Sequence, residues 1–243
     1  MTEDHIPPKG VPLVGQAYLE RLTDTLGAER SAKSPRLFQR GVKYRTICAE
    51  CNNELLGGDY DPVLVKFCKE LHSALGQQIY RPVSITVKIN RLIRAFIGHL
   101  IAHRIGNYRT GNFYSDITDY FLNNSGQFPN SLRAYCWVYP YKSQVVAHGL
   151  GSIFDYRNSG SSVIFSLMKF YPIGFLCSIE DLPEIEASQL TRIDHLTTIA
   201  IDDAVDVNLN ISYIPHGRWP EAPGEHGAVF HNASGTSARP VQT

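Results

Sequence analysis

Ile47-Cys48-Ala49-Glu50-Cys51-Asn52-Asn53 is the stretch on which the fold reading turns. Two cysteines separated by two residues, placed where a helix begins, can present two thiolates to one tetrahedral ion, which needs two further ligands to close. Just upstream, Lys43 to Ile47 alternates like a strand. Further upstream stands Asp4-His5-Ile6-Pro7-Pro8, within a segment of residues 1–14 that Pro7, Pro8 and Pro12 keep extended. Between them, Gln16 to Leu26 has apolar residues at helical spacing and is predicted helical, and Ser31 to Gly41 is a polar basic loop. Downstream, Glu50 to Leu55 suits a short helix ending at Gly57-Gly58. A second helix is predicted at once: Asp59 or Asp61 can cap, Pro62 suits the first turn, and Val63, Phe67 and Leu71 recur at i+4 as far as about Leu75.

An Asp-His-Ile-Pro strand followed by a strand, a C-x-x-C and an asparagine at a helix start resembles the HNH endonuclease family, with its ββα-metal fold. The resemblance covers residues 1–78. It implies a catalytic set of Asp4, His5 and Asn52. Asp4 and Asn52 would hold a catalytic Mg²⁺ or Mn²⁺, His5 would be the general base that deprotonates water, and Cys48 with Cys51 would form half of a structural Zn²⁺ site. The residue types suit this chemistry. Hard oxygen ligands match a Mg²⁺-class ion and thiolates match zinc, while an imidazole titrating near neutrality can take a proton from water. Two features depart from the family. No asparagine stands just ahead of Cys48, where the sequence is Val42-Lys43-Tyr44-Arg45, and the family's other C-x-x-C belongs upstream of Asp4, where only Met1-Thr2-Glu3 stand. The expectation is an in-frame C-x-x-C encoded upstream, the 243-residue form binding zinc weakly or not at all. Cys68 and His72, at i, i+4, are the first substitutes to test, against the plainer reading of a buried thiol beside a surface histidine.

Pro82 precedes the longest periodic segment. Ile85, Ile89, Leu92, Ile93, Phe96, Ile97, Leu100 and Ile101 keep one apolar face, predicting a helix through about Ile105 with Lys88, Arg91 and Arg94 on the other face. His99 and His103 lie on this helix at i, i+4 without the glutamate a zincin needs, and are read as structural histidines. Asn112 to Asn123 is predicted helical. After Ser131 the texture is β-rich (Leu132–Tyr139, Ser143–His148, Ser152–Tyr156, Ser162–Phe170, Thr197–Val207) with turns such as Asn158-Ser159-Gly160. Trp137, Tyr139 and Tyr141 alternate as core and surface aromatics rather than a base-stacking platform. Asp202-Asp203 with Asp206 is read as an exposed acidic turn. From Pro215 the composition suggests a mobile tail.

The chain has 243 residues with 43% hydrophobic and 19% charged, which excludes a disordered or fibrous protein. Basic and acidic residues balance at 23 each, but unevenly. Glu29–Thr46 holds six basic residues against one acid, Arg81–Arg109 six and no acid, and Glu180–Asp206 eight acids against Arg192 alone. A basic first half suits nucleic acid, with Lys43, Arg45, Lys88, Arg91 and Arg94 as candidate contacts. No apolar run is long enough to span a membrane, since Val163–Cys177 is interrupted by Lys169 and Pro172. An odd number of irregularly spaced cysteines suits a reducing, cytoplasmic setting. The expected fold is thus α+β: an HNH-like module over 1–78, a long helix with a mainly antiparallel β-sheet domain over 79–214, and a tail over 215–243. The expected function is metal-dependent hydrolysis of phosphodiester bonds in DNA. The alternative is a catalytically inactive HNH-like module that binds nucleic acid or protein.

Overall fold

Strictly alternating Val83-Ser84-Ile85-Thr86-Val87 and the apolar run Ile89–Ala102 are adjacent in sequence and fold differently, one as a strand and the other as the central helix. The structure is a computed structural model that describes residues 1–12, 15–26, 36–38, 42–77, 82–103, 112–153, 162–183, 190–222, 228–230 and 235–241. The first half contains β1 (Asp4–Ile6), β2 (Ala17–Arg21), α1 (Leu22–Leu26), β3 (Arg36–Phe38), β4 (Val42–Tyr44), a π-helical segment Cys51–Tyr60, α2 (Asp61–Gly76), β5 (Val83–Val87), α3 (Ile89–Ala102) and α4 (Asn112–Leu122). The second contains β6 (Arg133–Val138), β7 (Gln144–Ile153), β8 (Ser162–Phe170), β9 (Ile173–Ser178), β10 (Thr191–Arg192), a 3₁₀ turn Asp194–Thr198, β11 (Val205–Leu209), β12 (Ala228–Phe230) and β13 (Gly235–Pro240).

This is an α+β fold with a mainly antiparallel sheet. Nine strands form it in the order β10-β6-β9-β8-β7-β13-β2-β3, with β12 also on β7. Two small antiparallel pairs, β1–β4 and β5–β11, stand apart from it. Alternation along β6 sends Ala134, Cys136 and Val138 to one core, and Tyr135 and Trp137, with Tyr139 just beyond, to another. The first core holds α3, which is buried from Ile89 to Ala102 except at Arg91. Phe96 stacks on Phe175 of β9 with ring centroids 4.2 Å apart. On its other side the helix meets α2, α4, the π-helical segment and β1. Gly98 permits that approach, because a Cβ there would lie 2.6 Å from the Phe121 ring and 2.7 Å from Leu56.

Several expectations need correction. Ala17–Arg21 is a strand followed by the short α1, because β13 and β3 flank it with partners. Gly57-Gly58 does not end a helix: the π-helical segment runs on into α2, and its turns carry Leu56 and Tyr60 into the core. Pro62 does sit in the first turn of α2, but no side chain caps it. Ile85 belongs to β5 rather than to the long helix, and β11 pairs with it, Val207 opposite Ile85. Ser143–His148 and Ser152–Tyr156 lie on one strand as far as Ile153, and Asn158-Ser159-Gly160 fall outside the described residues. The region read as a tail is part of the fold. Trp219 is buried, and β13 lies between β7 and β2, with Thr236, Ser237 and Ala238 buried. The sheet therefore crosses the proposed boundary at 78, since β2 and β3 extend it. Among the described residues no helix is long and apolar enough to cross a membrane.

Candidate functional site

β1 and β4 pair with Asp4 opposite Tyr44, His5 opposite Lys43 and Ile6 opposite Val42. Side chains alternate along strands, so Asp4, Tyr44, Ile6 and Val42 share the buried face, while Lys43 is exposed on the other and His5 is half-buried. The buried face lies on α3, where His99 and His103 stand one turn apart. Asp4 Oδ2 is 2.9 Å from His99 Nδ1, and the Tyr44 ring meets the His103 ring edge-on at 4.9 Å. The other nitrogen of His99, Nε2, is 2.9 Å from Oδ1 of Asp61, the first residue of α2.

His99 is 0% exposed and Asp4 3%. Burial alone would push the imidazole down, but the Asp4 and Asp61 carboxylates outweigh it and raise it to about 10. His99 is thus an imidazolium that donates from both nitrogens. His103 has the opposite state: burial, with His148 nearby, pushes it down to about 3. Tyr44 donates to Thr236 Oγ1 at 3.0 Å, and Thr236 lies 3.3 Å from His103 Nε2. The ring is neutral, and the Thr236 hydroxyl can serve either tautomer of it. Two histidines one turn apart differ in charge because one faces carboxylates and the other hydroxyls.

The Cys48–Cys51 turn joins this hairpin to its helix. Cys51 N–H donates to Cys48 Sγ at 3.1 Å. Hydrogen bonds from the Cys51 side chain and backbone hold the exposed Cys48 thiol below its usual range, and burial pushes Cys51 up to about 11. Asn52 Nδ2 then donates to Thr2 Oγ1 at 2.9 Å and to the Glu3 carbonyl at 3.0 Å. The start of the π-helical segment is fastened to the strand that carries Asp4 and His5. Asp4, His5 and Asn52 therefore converge by backbone, although Asp4 turns inward and the next residue, His5, turns outward.

Among the described residues no further ligands complete a zinc set with Cys48 and Cys51. Cys68 is buried, with its thiol raised beyond the usual range by burial, and His72 Nδ1 is bound to the Tyr171 hydroxyl at 2.7 Å. Among the described residues no group of three or more His, Cys, Asp or Glu is placed to hold a metal ion. A Mg²⁺-class ion asks less of the protein, since it keeps several waters and takes one or two protein oxygens; Asp4 and Asn52 suit that demand.

The candidate nucleic-acid contacts divide. Lys43 and Arg45 are exposed beside β1, where Glu3 lies 3.6 Å and 2.6 Å from them. Lys88 and Arg91 both bind Asp202, at 2.8 Å and 3.0 Å, and Arg91 also reaches Asp59 at 3.4 Å. The acidic late segment thus lies on the basic start of α3, which is why charge asymmetry along the sequence does not become a bare basic surface there. Arg94 is a correction. It is 0% exposed, donates to the carbonyls of Asn123 and Gly126 at 2.9 Å and 2.8 Å, and lies 3.8 Å over the Tyr120 ring. Its helix is buried on the face the periodicity assigned to solvent. Arg81, Arg104 and Arg109 fall outside the described residues.

Compared with protein-family models, curated proteins and solved structures, the chain shows no match. The chemistry must therefore be argued from the site alone. The role of His99 was the part that sequence reasoning missed. The signal that could have found it is a histidine within an apolar helix face, which demands a buried polar partner. Which of the chain's carboxylates supplies it depends on tertiary structure.

Proposed function

We propose that the chain is a divalent-metal-dependent endonuclease of the ββα-metal type acting on DNA, with its centre at the β1–β4 hairpin. One observation carries this reading: the Asn52 amide is docked on the strand bearing Asp4 and His5, so two hard-oxygen donors and an imidazole share one corner of the fold. A bound Mg²⁺ or Mn²⁺ would neutralise charge developing on the phosphate. His99 takes one carboxylate oxygen of Asp4, so the ion would be held through the other oxygen, with the Asn52 carbonyl as second donor. His5, on the outer face opposite Lys43, takes the proton from the attacking water. Lys43 and Arg45 provide positive charge beside the phosphate path.

The second reading, an inactive module that binds nucleic acid or protein, is favoured by the depth of Asp4, whose carboxylate is already committed to His99. A plasmid-nicking assay with Mg²⁺ or Mn²⁺ against chelator decides between them. Under the first reading nicking requires the ion, and His5→Ala lowers its rate by about 10²–10⁴-fold while folding is unchanged. Equal rates for the two proteins sink the mechanism, and no nicking with either ion leaves the binding module.

A further inference from the structure

The Cys48–Cys51 turn is a two-thiol site that its own chain does not complete with sulfur. All five cysteines are described, and Cys68, Cys136 and Cys177 are buried in the core. The turn instead faces outward. Cys48 is exposed, Cys51 is half-buried, and Arg45, Thr46, Ala49, Glu50, Asn53 and Glu54 around it are exposed. The Cys51 N–H to Cys48 Sγ bond holds the turn closed, with both side chains already in contact. A turn that is preformed, accessible and half-filled has one economical completion: a second copy of itself. Two such turns across a twofold axis supply four thiolates in the tetrahedral set that closed structural zinc sites use, and a twofold contact needs only that one surface patch match itself. Exposed residues around the turn carry both signs, Arg45 (paired with Glu3) and Glu50 with Glu54, and the chain has no net charge to resist association.

We infer that the Cys48–Cys51 pairs of two copies of this chain share one Zn²⁺, which joins them as a dimer through the knuckle. The inference stands apart from the nuclease reading, because it requires neither Asp4, His5 nor catalysis. The test uses the full chain, reduced and loaded with zinc chloride, with mass read by sedimentation equilibrium and zinc by elemental analysis. The expected result is a twofold rise in mass with one zinc per two chains, reversed by chelator. Cobalt in place of zinc should give the absorption of a tetrathiolate site. Cys48→Ser, at an exposed position, should keep the circular dichroism of the parent, remain at single-chain mass and lose at least about tenfold in zinc affinity, since losing even an outer-shell partner costs that much. One zinc per chain at single-chain mass would overturn the inference. So would the absence of bound zinc, zinc retained by Cys48→Ser, or a dimer indifferent to chelator.

Discussion

Two buried cations, one on each face of the large sheet, are neutralised in opposite ways. His99, in the core on the α3 side, is held between two carboxylates brought from β1 and α2. Lys169, on the other face, directs its ammonium to one carboxylate, Glu221 at 2.7 Å, and to the carbonyls of Gly217 and Trp219, each at 2.7 Å. The first site carries an excess of negative charge and ties together three segments distant in sequence. The second is an exact charge match that latches one short stretch onto β8. Their titrations run in opposite directions for the same reason: two anions overcome burial at His99, whereas burial prevails at Lys169, whose charged form is disfavoured despite Glu221. The surplus anion at His99 keeps its imidazole charged. A matched pair suits a fastening.

The largest effect is expected at the matched pair. Lys169→Met leaves Glu221, 4% exposed, without its cation, at a cost of about 3–5 kcal/mol measured by denaturant unfolding. Adding Glu221→Leu should recover most of that loss. If the double variant is as unstable as the single, the latch holds by packing and the contrast between the two sites fails. His99→Leu should cost somewhat less, about 3 kcal/mol, because Asp61 is 19% exposed and can draw on water for the lost partner. A loss larger than that of Lys169→Met would reverse the ranking.

A pH series sharpens the comparison. The His99 imidazole is raised from 6.5 to about 10 on folding, so its contribution is complete below pH 6.5 and is lost as pH climbs through 10. Unfolding midpoints of the parent chain should fall over that window, and His99→Leu should remove this part of the slope. An unchanged slope in the variant would show that the imidazole is not the titrating group. The smallest effect belongs to Asp202→Asn. Its ion pairs with Lys88 and Arg91 lie at the surface, so the loss should be under about 1 kcal/mol. A larger loss in thermal unfolding would mean that these pairs behave like the buried ones.

Much of this architecture is written locally. The α4 helix, β8 and the core of α3 follow from spacing alone, as does the strand-then-helix order around Cys48–Cys51. What escaped was set at a distance. Arg94 looks solvent-facing on a helical wheel, yet carbonyls from Asn123 and Gly126 await it, and only the chain's path after α4 brings them there. Asp61 looks like a helix cap, but its carboxylate is committed to His99. The stretch after Pro215 looks unanchored by composition, because its anchors are a buried lysine on β8, the buried Trp219 and, for β13, two flanking strands. Pattern reports which faces are apolar. It does not report which polar groups will be met on the way.

One consequence of strand order concerns time. β13 follows in sequence every strand it joins, and among the described residues it alone connects β2 and β3 to the rest of the sheet. As the polypeptide leaves the ribosome, β2 must wait, edge open, until Gly235–Pro240 has been made, although β7 to β9 can already form their meander, with β6 on β9. The interval exposes an unpaired strand edge, the condition that invites wrong partners. The yield of folded chain should therefore depend on how quickly Gly235–Pro240 is translated.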